Sequence, residues 1–389
     1  MQSLTYSQFS QGLLEKLGRK RVPVCGTIEV TRRCPMNCVH CYNNLPLCDA
    51  ARPNELTYEE HCRILDQITE AGCFWLLYTG GEVFARPDFL DIYAYAKRKG
   101  LLITLFTNGT LITPEAADRL AEWRPFAIEI TLYGYTKETH ERVTRVPGSY
   151  AQCMRGIRLL MERRLPLKLK TMVIEPNKHE LWDMKRFVED DLGVDFKFDA
   201  MINPRLDASL DPLRVRLSPR EVVDLDLRDS KKMLELRKFC ERFNGPVLPP
   251  EKSDELYHCG GGVNSFAIDP YGKLSLCGFS QRDLYDLRRG KFREGWDLFL
   301  PRVRQRKITR KTKCLHCEIK AMCGMCPANG ELENGDPEEP VEFMCEVAHL
   351  RARALGLSIK PQGECEYCEK DRSSAVSIYP SVRYSKAED

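Results

Sequence analysis

Six short apolar, β-branched runs recur through the first half of the chain, at residues 27–31, 74–79, 102–107, 126–132, 167–173 and 196–201. Segments of helical periodicity lie between them, at 58–71, 87–99, 114–123, 150–163 and 180–191, several opened by Thr, Ser or Pro. Such alternation calls for a parallel sheet, because each crossover helix returns the chain to the same strand direction. Residue types that carry chemistry recur just after successive strands. That placement fits a curved sheet with its active site at the C-terminal strand ends better than an open doubly wound one. The expected fold class is α/β, a partial (β/α)6 TIM-like barrel followed by a small cysteine-rich domain.

The first run leads into Cys34-Pro35-Met36-Asn37-Cys38-Val39-His40-Cys41, so one strand delivers three thiols to one loop at C-x3-C-x2-C spacing. Structural zinc sites use four protein ligands, whereas three thiolates on a four-iron cluster leave one iron open. The second run ends in Gly80-Gly81-Glu82, where two glycines permit close backbone approach and a carboxylate can meet an ammonium group. Asn108-Gly109 after the third run and Tyr133-Gly134 after the fourth are, by themselves, ordinary turn signals.

The balance of 59 basic against 56 acidic residues gives a net charge of +3 and no footprint for nucleic acid or a membrane surface. The N-terminus has no signal-type apolar stretch, and no run approaches the roughly eighteen apolar residues of a membrane span. A cytoplasmic protein is expected. There thiols stay reduced, so 18 cysteines are better explained by metal clusters than by disulfides.

The cysteine loop and the Gly-Gly-Glu one βα unit later resemble the signature of the radical S-adenosylmethionine (radical SAM) enzymes. The resemblance implies that Cys34, Cys38 and Cys41 ligate a 4Fe-4S cluster whose open iron chelates S-adenosylmethionine. It places Gly80, Gly81 and Glu82 at the methionyl end of that cofactor and Asn108 and Thr131 near its ribose and carboxylate. Arg145 is chosen over Arg142 as a cofactor contact, and His40 and Tyr42 flank the adenine or the cluster. Lys170 and Asn177 match positions often polar in the family, or are rim residues. The implied chemistry is one-electron cleavage of the sulfonium to methionine and a 5'-deoxyadenosyl radical that abstracts hydrogen from a substrate.

Residues 1–22 read as an N-terminal helix, 23–205 as the barrel and 206–258 as a helical connector with a break at 246–250. Cysteines return at Cys259, Cys277, Cys314, Cys317, Cys323, Cys326 and Cys345, within a domain taken as 259–350, and 351–389 forms a tail. Asp269-Pro270-Tyr271-Gly272-Lys273 is a hairpin signal. A zinc ribbon at Cys314, Cys317, Cys323 and Cys326 is the competing reading, against which the five-residue gap between the pairs is short. The pattern resembles the SPASM extension, which carries auxiliary four-iron clusters. By that resemblance Cys314, Cys317, Cys323 and Cys345 hold one such cluster, and Cys259, Cys277 and Cys326 hold a second with an open iron. Two departures stand out: two residues, not three, separate Cys323 from Cys326, and no further Cys follows Cys259 before Ala267. Another residue, or the C-terminal pair Cys365 and Cys368, is the alternative that fills that open iron, and the pair is otherwise not placed.

The function expected is oxidative modification of a peptide or protein side chain, such as a thioether or carbon-carbon crosslink. A separate leader-binding protein would serve it, because only about 25 residues precede the first strand, and a flavodoxin or ferredoxin would supply electrons. Gly278 follows Cys277 where sulfatase-maturing relatives carry Asp, which counts against that activity. A tetrapyrrole or other small-molecule biosynthetic step is a further alternative, as is an iron-sulfur electron carrier without catalysis. Gly80 to Glu82 argue against the carrier.

Overall fold

The computed structural model describes residues 12–13, 16–17, 20–243, 254–314, 317, 319–357 and 365–369. The break expected at 246–250 and most of the N-terminal helix and of the tail lie outside these residues. The chain forms two compact units, one of residues 1–216 and 257–306, the other of 217–256 and 307–389.

The first unit is built on strands β1 Cys25–Glu29, β2 Trp75–Thr79, β3 Leu102–Thr107, β4 Ala127–Thr131, β5 Leu167–Met172 and β6 Asp195–Asp199. Between them run helices α1 Tyr58–Glu70, α2 Phe89–Arg98, α3 Pro114–Glu122, α4 Lys137–Thr144, α5 Ser149–Glu162 and α6 Leu181–Arg186, the last widened into a π turn at Phe187–Asp191. The six strands are parallel neighbours in sequence order, and the sheet is that of a partial barrel. Capping explains where helices begin: Thr57 accepts from Glu60 N–H while the Glu60 carboxylate accepts from Thr57 N–H, and Thr113 and Thr136 cap α3 and α4.

Strand alternation separates two faces. Ile28, Leu76, Tyr78, Ile103, Leu105, Ile128, Ile130 and Leu169 are essentially fully buried on the face that the crossover helices cover. The opposite face carries Glu29, Thr79, Phe106, Glu129, Thr131, Lys170 and Lys197, paired across the ladder in matching register. That face is the lumen side.

The sheet does not stop at β1. Residues Ser265–Ile268 form β7, which pairs parallel with β1 on the edge away from β2, and β8 Lys273–Ser275 and β9 Tyr285–Asp286 extend it antiparallel. The expected hairpin joins β7 to β8, with the Asp269 carboxylate accepting from Tyr271 N–H and Lys273 N–H at 2.9 and 2.8 Å. By strand pairing, residues 257–306, Cys259 and Cys277 among them, therefore go with the barrel.

The second unit contains α7 Pro219–Arg228, α8 Ser230–Phe243, α9 Pro327–Asn334 and α10 Glu342–Ala354. α7 and α10 pack together around Asp226, 1% exposed, which accepts from Arg351 at 2.8 Å and forms an ion pair with Lys232 at 2.7 Å. Two cations on one buried carboxylate offset its desolvation. No helix among the described residues is long and apolar enough to cross a membrane.

Candidate active site at the C-terminal strand ends

The three thiols leave β1 on a loop held from both sides. Arg33, just before Cys34, makes a two-pronged pair with Glu55 at 2.9 and 2.9 Å. Asn37 N–H and Val39 N–H donate to the Thr144 and Val143 carbonyls at the end of α4, each at 3.0 Å. Beyond Cys41, Arg205 donates to the Cys41 carbonyl at 3.3 Å and to Asn44 Oδ1 and O at 3.0 and 3.1 Å. The loop is thus fixed by α4 and by the chain after β6.

The Gly-Gly-Glu motif closes against the same loop. Gly81 N–H and Glu82 N–H donate to the Thr31 and Arg33 carbonyls at 2.8 and 2.9 Å, continuing the ladder past the strand end. A Cβ on Gly80 would overlap the Thr31 carbonyl oxygen, and Gly80 sits at φ +148°, which side chains rarely adopt. One Glu82 oxygen accepts from Thr107 Oγ1 at 2.7 Å and Phe84 N–H at 3.2 Å, the other from Asn108 N–H at 2.7 Å. Burial pushes this carboxyl up, and those hydrogen bonds oppose the shift. Glu82→Gln sets an NH2 against a backbone N–H in either flip, so we expect a loss of about 1–3 kcal/mol of stability, read as a lowered Tm.

Asn108 links the two motifs, its Nδ2 donating to Cys34 Sγ at 3.5 Å, and Met36 N–H donates to the same sulfur at 3.4 Å. The Tyr133 hydroxyl hydrogen-bonds the Cys38 thiol. Burial raises all three thiols above their ordinary range, with Arg205 easing Cys41. Three clustered soft donors, each made costly to ionise by burial and each met by hydrogen bonds from neighbours, suit an iron cluster.

Among the other residues singled out in sequence, His40 packs edge-on against Tyr133 at 4.9 Å and is held neutral, its pKa brought down to about 4 by burial. Tyr42 lies against Phe279 at 5.2 Å. Thr131 ends β4 on the lumen face, opposite Lys170. Arg145 is exposed at the left-handed cap of α4, one residue past the Thr144 carbonyl that holds the loop. Asn177 is fully buried and hydrogen-bonds Ile174 N–H and the Tyr133 and Met172 carbonyls, a structural task.

Cys314, Cys317, Cys323 and Cys345 line one pocket of the second unit. Cys326 opens α9 in that unit, while Cys259 and Cys277 belong to the first. Sequence reasoning passed over Tyr133, taken as part of a turn, and Arg205, the last residue of the span taken as the barrel. It also passed over His349, for which a Cys345-x3-His349 spacing on one helix face was the available signal.

The Radical SAM superfamily model matches residues 28–188. An AdoMet-dependent heme synthase of Nitratidesulfovibrio vulgaris is 27% identical over 82% of this chain and 92% of its own length. The antilisterial bacteriocin subtilosin biosynthesis protein AlbA of Bacillus subtilis is 24% identical over 79% of this chain and 68% of its own. In fold, the chain is similar to Streptococcus suis SuiB bound to S-adenosylmethionine, with a TM-score of 0.64 at 16% identity over 89% of this chain and 82% of that one. With three cysteines on the loop after β1 and a Gly-Gly-Glu turn locked against it, residues 28–188 of this enzyme form a Radical SAM superfamily domain.

Proposed function

We propose that the enzyme oxidatively modifies a carboxylate-bearing substrate, and that a tetrapyrrole suits the lumen better than a peptide. Cys34, Cys38 and Cys41 hold the catalytic cluster in this reading, and Glu82, Asn108 and Thr131 hold S-adenosylmethionine. Cys314, Cys317, Cys323 and Cys345 hold an auxiliary cluster, and Cys259 and Cys277 are ligands of another. The loaded cofactors supply one-electron chemistry that activates a C–H bond. The protein orients the substrate and keeps water from it.

The observation that carries the substrate class is a charged group on the lumen face. Glu129 accepts from Lys170 at 3.2 Å and Lys197 at 2.8 Å, and Lys170 Nζ lies 2.9 Å from the centre of the Phe106 ring. Two lysines on one carboxylate leave a surplus positive charge beside an aromatic face, suited to a flat, apolar molecule with carboxylate arms. The likeness to a heme synthase over nearly its whole length supports this reading. The likeness to AlbA favours the peptide reading, for which a separate leader-binding partner would serve. A flavodoxin or ferredoxin suits either as reductant.

The test is anaerobic turnover with S-adenosylmethionine and a reductant, with iron coproporphyrin III beside a peptide encoded next to the gene. Faster 5'-deoxyadenosine release and a mass change in the porphyrin alone support the proposal, and a response to the peptide alone replaces it. Burial brings Lys170 down to about 8, with Glu129 opposing the shift. Lys170 is charged below that value and neutral above it, so KM for the porphyrin is expected to rise as pH passes through about 8. Lys170→Met raises KM roughly tenfold at pH 7, the loss of one charge-assisted contact, and Lys170→Arg removes the inflection.

A further inference from the structure

Cys345 and His349 stand one turn apart on α10 and share a face, and Cys365 reaches them from the C-terminal segment. Cys345 Sγ lies 3.8 Å from His349 Nδ1, Cys365 Sγ lies 3.7 Å from His349 Nε2, and one ligand atom from each residue falls within 4.8 Å of the others. All three are buried, at 8%, 1% and 4% exposure. Cys314, Cys317 and Cys323 line the same pocket. Five thiols and an imidazole therefore surround one space, one thiol more than a cubic four-iron cluster takes.

Distance decides what the extra thiol does. Thiolates on different irons of a cube are held apart by the cube edge and by Fe–S bonds that splay outward. The Cys345 and Cys365 sulfurs, within 4.8 Å of each other, are close enough to face a single iron. Local contacts seat Cys365 there: Arg353 donates to the Tyr367 carbonyl at 2.9 Å, the Tyr367 ring lies 5.6 Å from the His349 ring, and His349 Nδ1 lies 2.8 Å from the Cys345 carbonyl oxygen. The C-terminal segment is thus packed onto α10 by groups other than its thiol.

We propose that Cys365 is a ligand of the second unit's iron-sulfur cluster and shares one corner with Cys345, so that either thiolate completes the set begun by Cys314, Cys317 and Cys323. The proposal rests on reading those three as cluster ligands. His349 is a positioning residue that spaces the two sulfurs. The sharing ties the C-terminal segment to α10 through the metal, and the cluster keeps four thiolates when one of the pair is withdrawn.

Iron, sulfide and zinc content and the electron paramagnetic resonance spectrum of the reduced, anaerobically reconstituted full-length protein test this. Cys345→Ala and Cys365→Ala should each keep the wild-type iron to within about one atom, each with a shifted spectrum, while the double variant loses about four irons. A Cys345/Cys365→Ser pair, closer in volume, guards against a folding defect and should show the same loss. If Cys345→Ala alone loses the four irons and Cys365→Ala has the wild-type spectrum, the sharing is overturned and Cys365 is a packing residue. Zinc in the wild type that is lost with either single variant also overturns it, in favour of one ion on three ligands. A Cys314/Cys317/Cys323→Ala variant that keeps all its iron sinks the cluster reading itself, whatever the other variants do.

Discussion

Cys38→Ala is expected to lose about four irons and all S-adenosylmethionine cleavage, with 5'-deoxyadenosine below detection. The reason is geometric. Cys38 lies mid-loop, flanked by the two backbone hydrogen bonds from Asn37 and Val39 to the end of α4, and Tyr133 meets its sulfur. No neighbouring thiol of the first unit is positioned by the same contacts, so substitution leaves an iron without a ligand. Iron analysis and product chromatography on the reconstituted protein check the claim. Retention of full iron together with cofactor cleavage would mean that another residue takes the position.

Gly80→Ala should be nearly as severe although it removes no ligand. Its new methyl meets the Thr31 carbonyl oxygen, backbone that cannot rotate away, at a φ of +148°. Overpacking and backbone strain together cost roughly 3 kcal/mol. The displaced segment leads directly into the cysteine loop, so iron loading should fall along with Tm. Gly100→Ala is the control, since Gly100 also has positive φ, +85°, but nothing lies within 4 Å of its added methyl. Only a conformational cost of about 1 kcal/mol applies there, and iron loading should stay intact.

The six barrel strands and the helices between them were legible because each has local causes: β-branched runs, Thr and Ser caps, and one period per element. The three-cysteine loop and the Gly-Gly-Glu turn were legible as motifs because their spacing lies within single loops. β7 was not, being four residues long with no local mark that its partner is β1. Parallel pairing across so much intervening chain is a tertiary fact. For the same reason Arg205, which grips the Cys41 carbonyl, and Lys197, which completes the pair on Glu129, carry no signal of their own. Cys365 was visible as a residue but not as a neighbour of His349, since a tail thiol gains meaning only from what it touches.

The pairing of β7 with β1 bears on when the enzyme can acquire iron. The thiols at 34–41 leave the ribosome early, yet Arg32 at the base of their loop is set by Asp269 at 3.8 Å, Gln281 at 3.4 Å and the Tyr271 ring at 5.6 Å. Those partners are synthesised more than two hundred residues later, and such non-local contacts form last during folding. The nascent loop therefore spends most of translation without its final neighbours. Iron loading of these thiols is therefore expected only after residues 265–286 have been made, and a chain truncated before residue 265 presents the cysteines without the edge that Arg32 packs against.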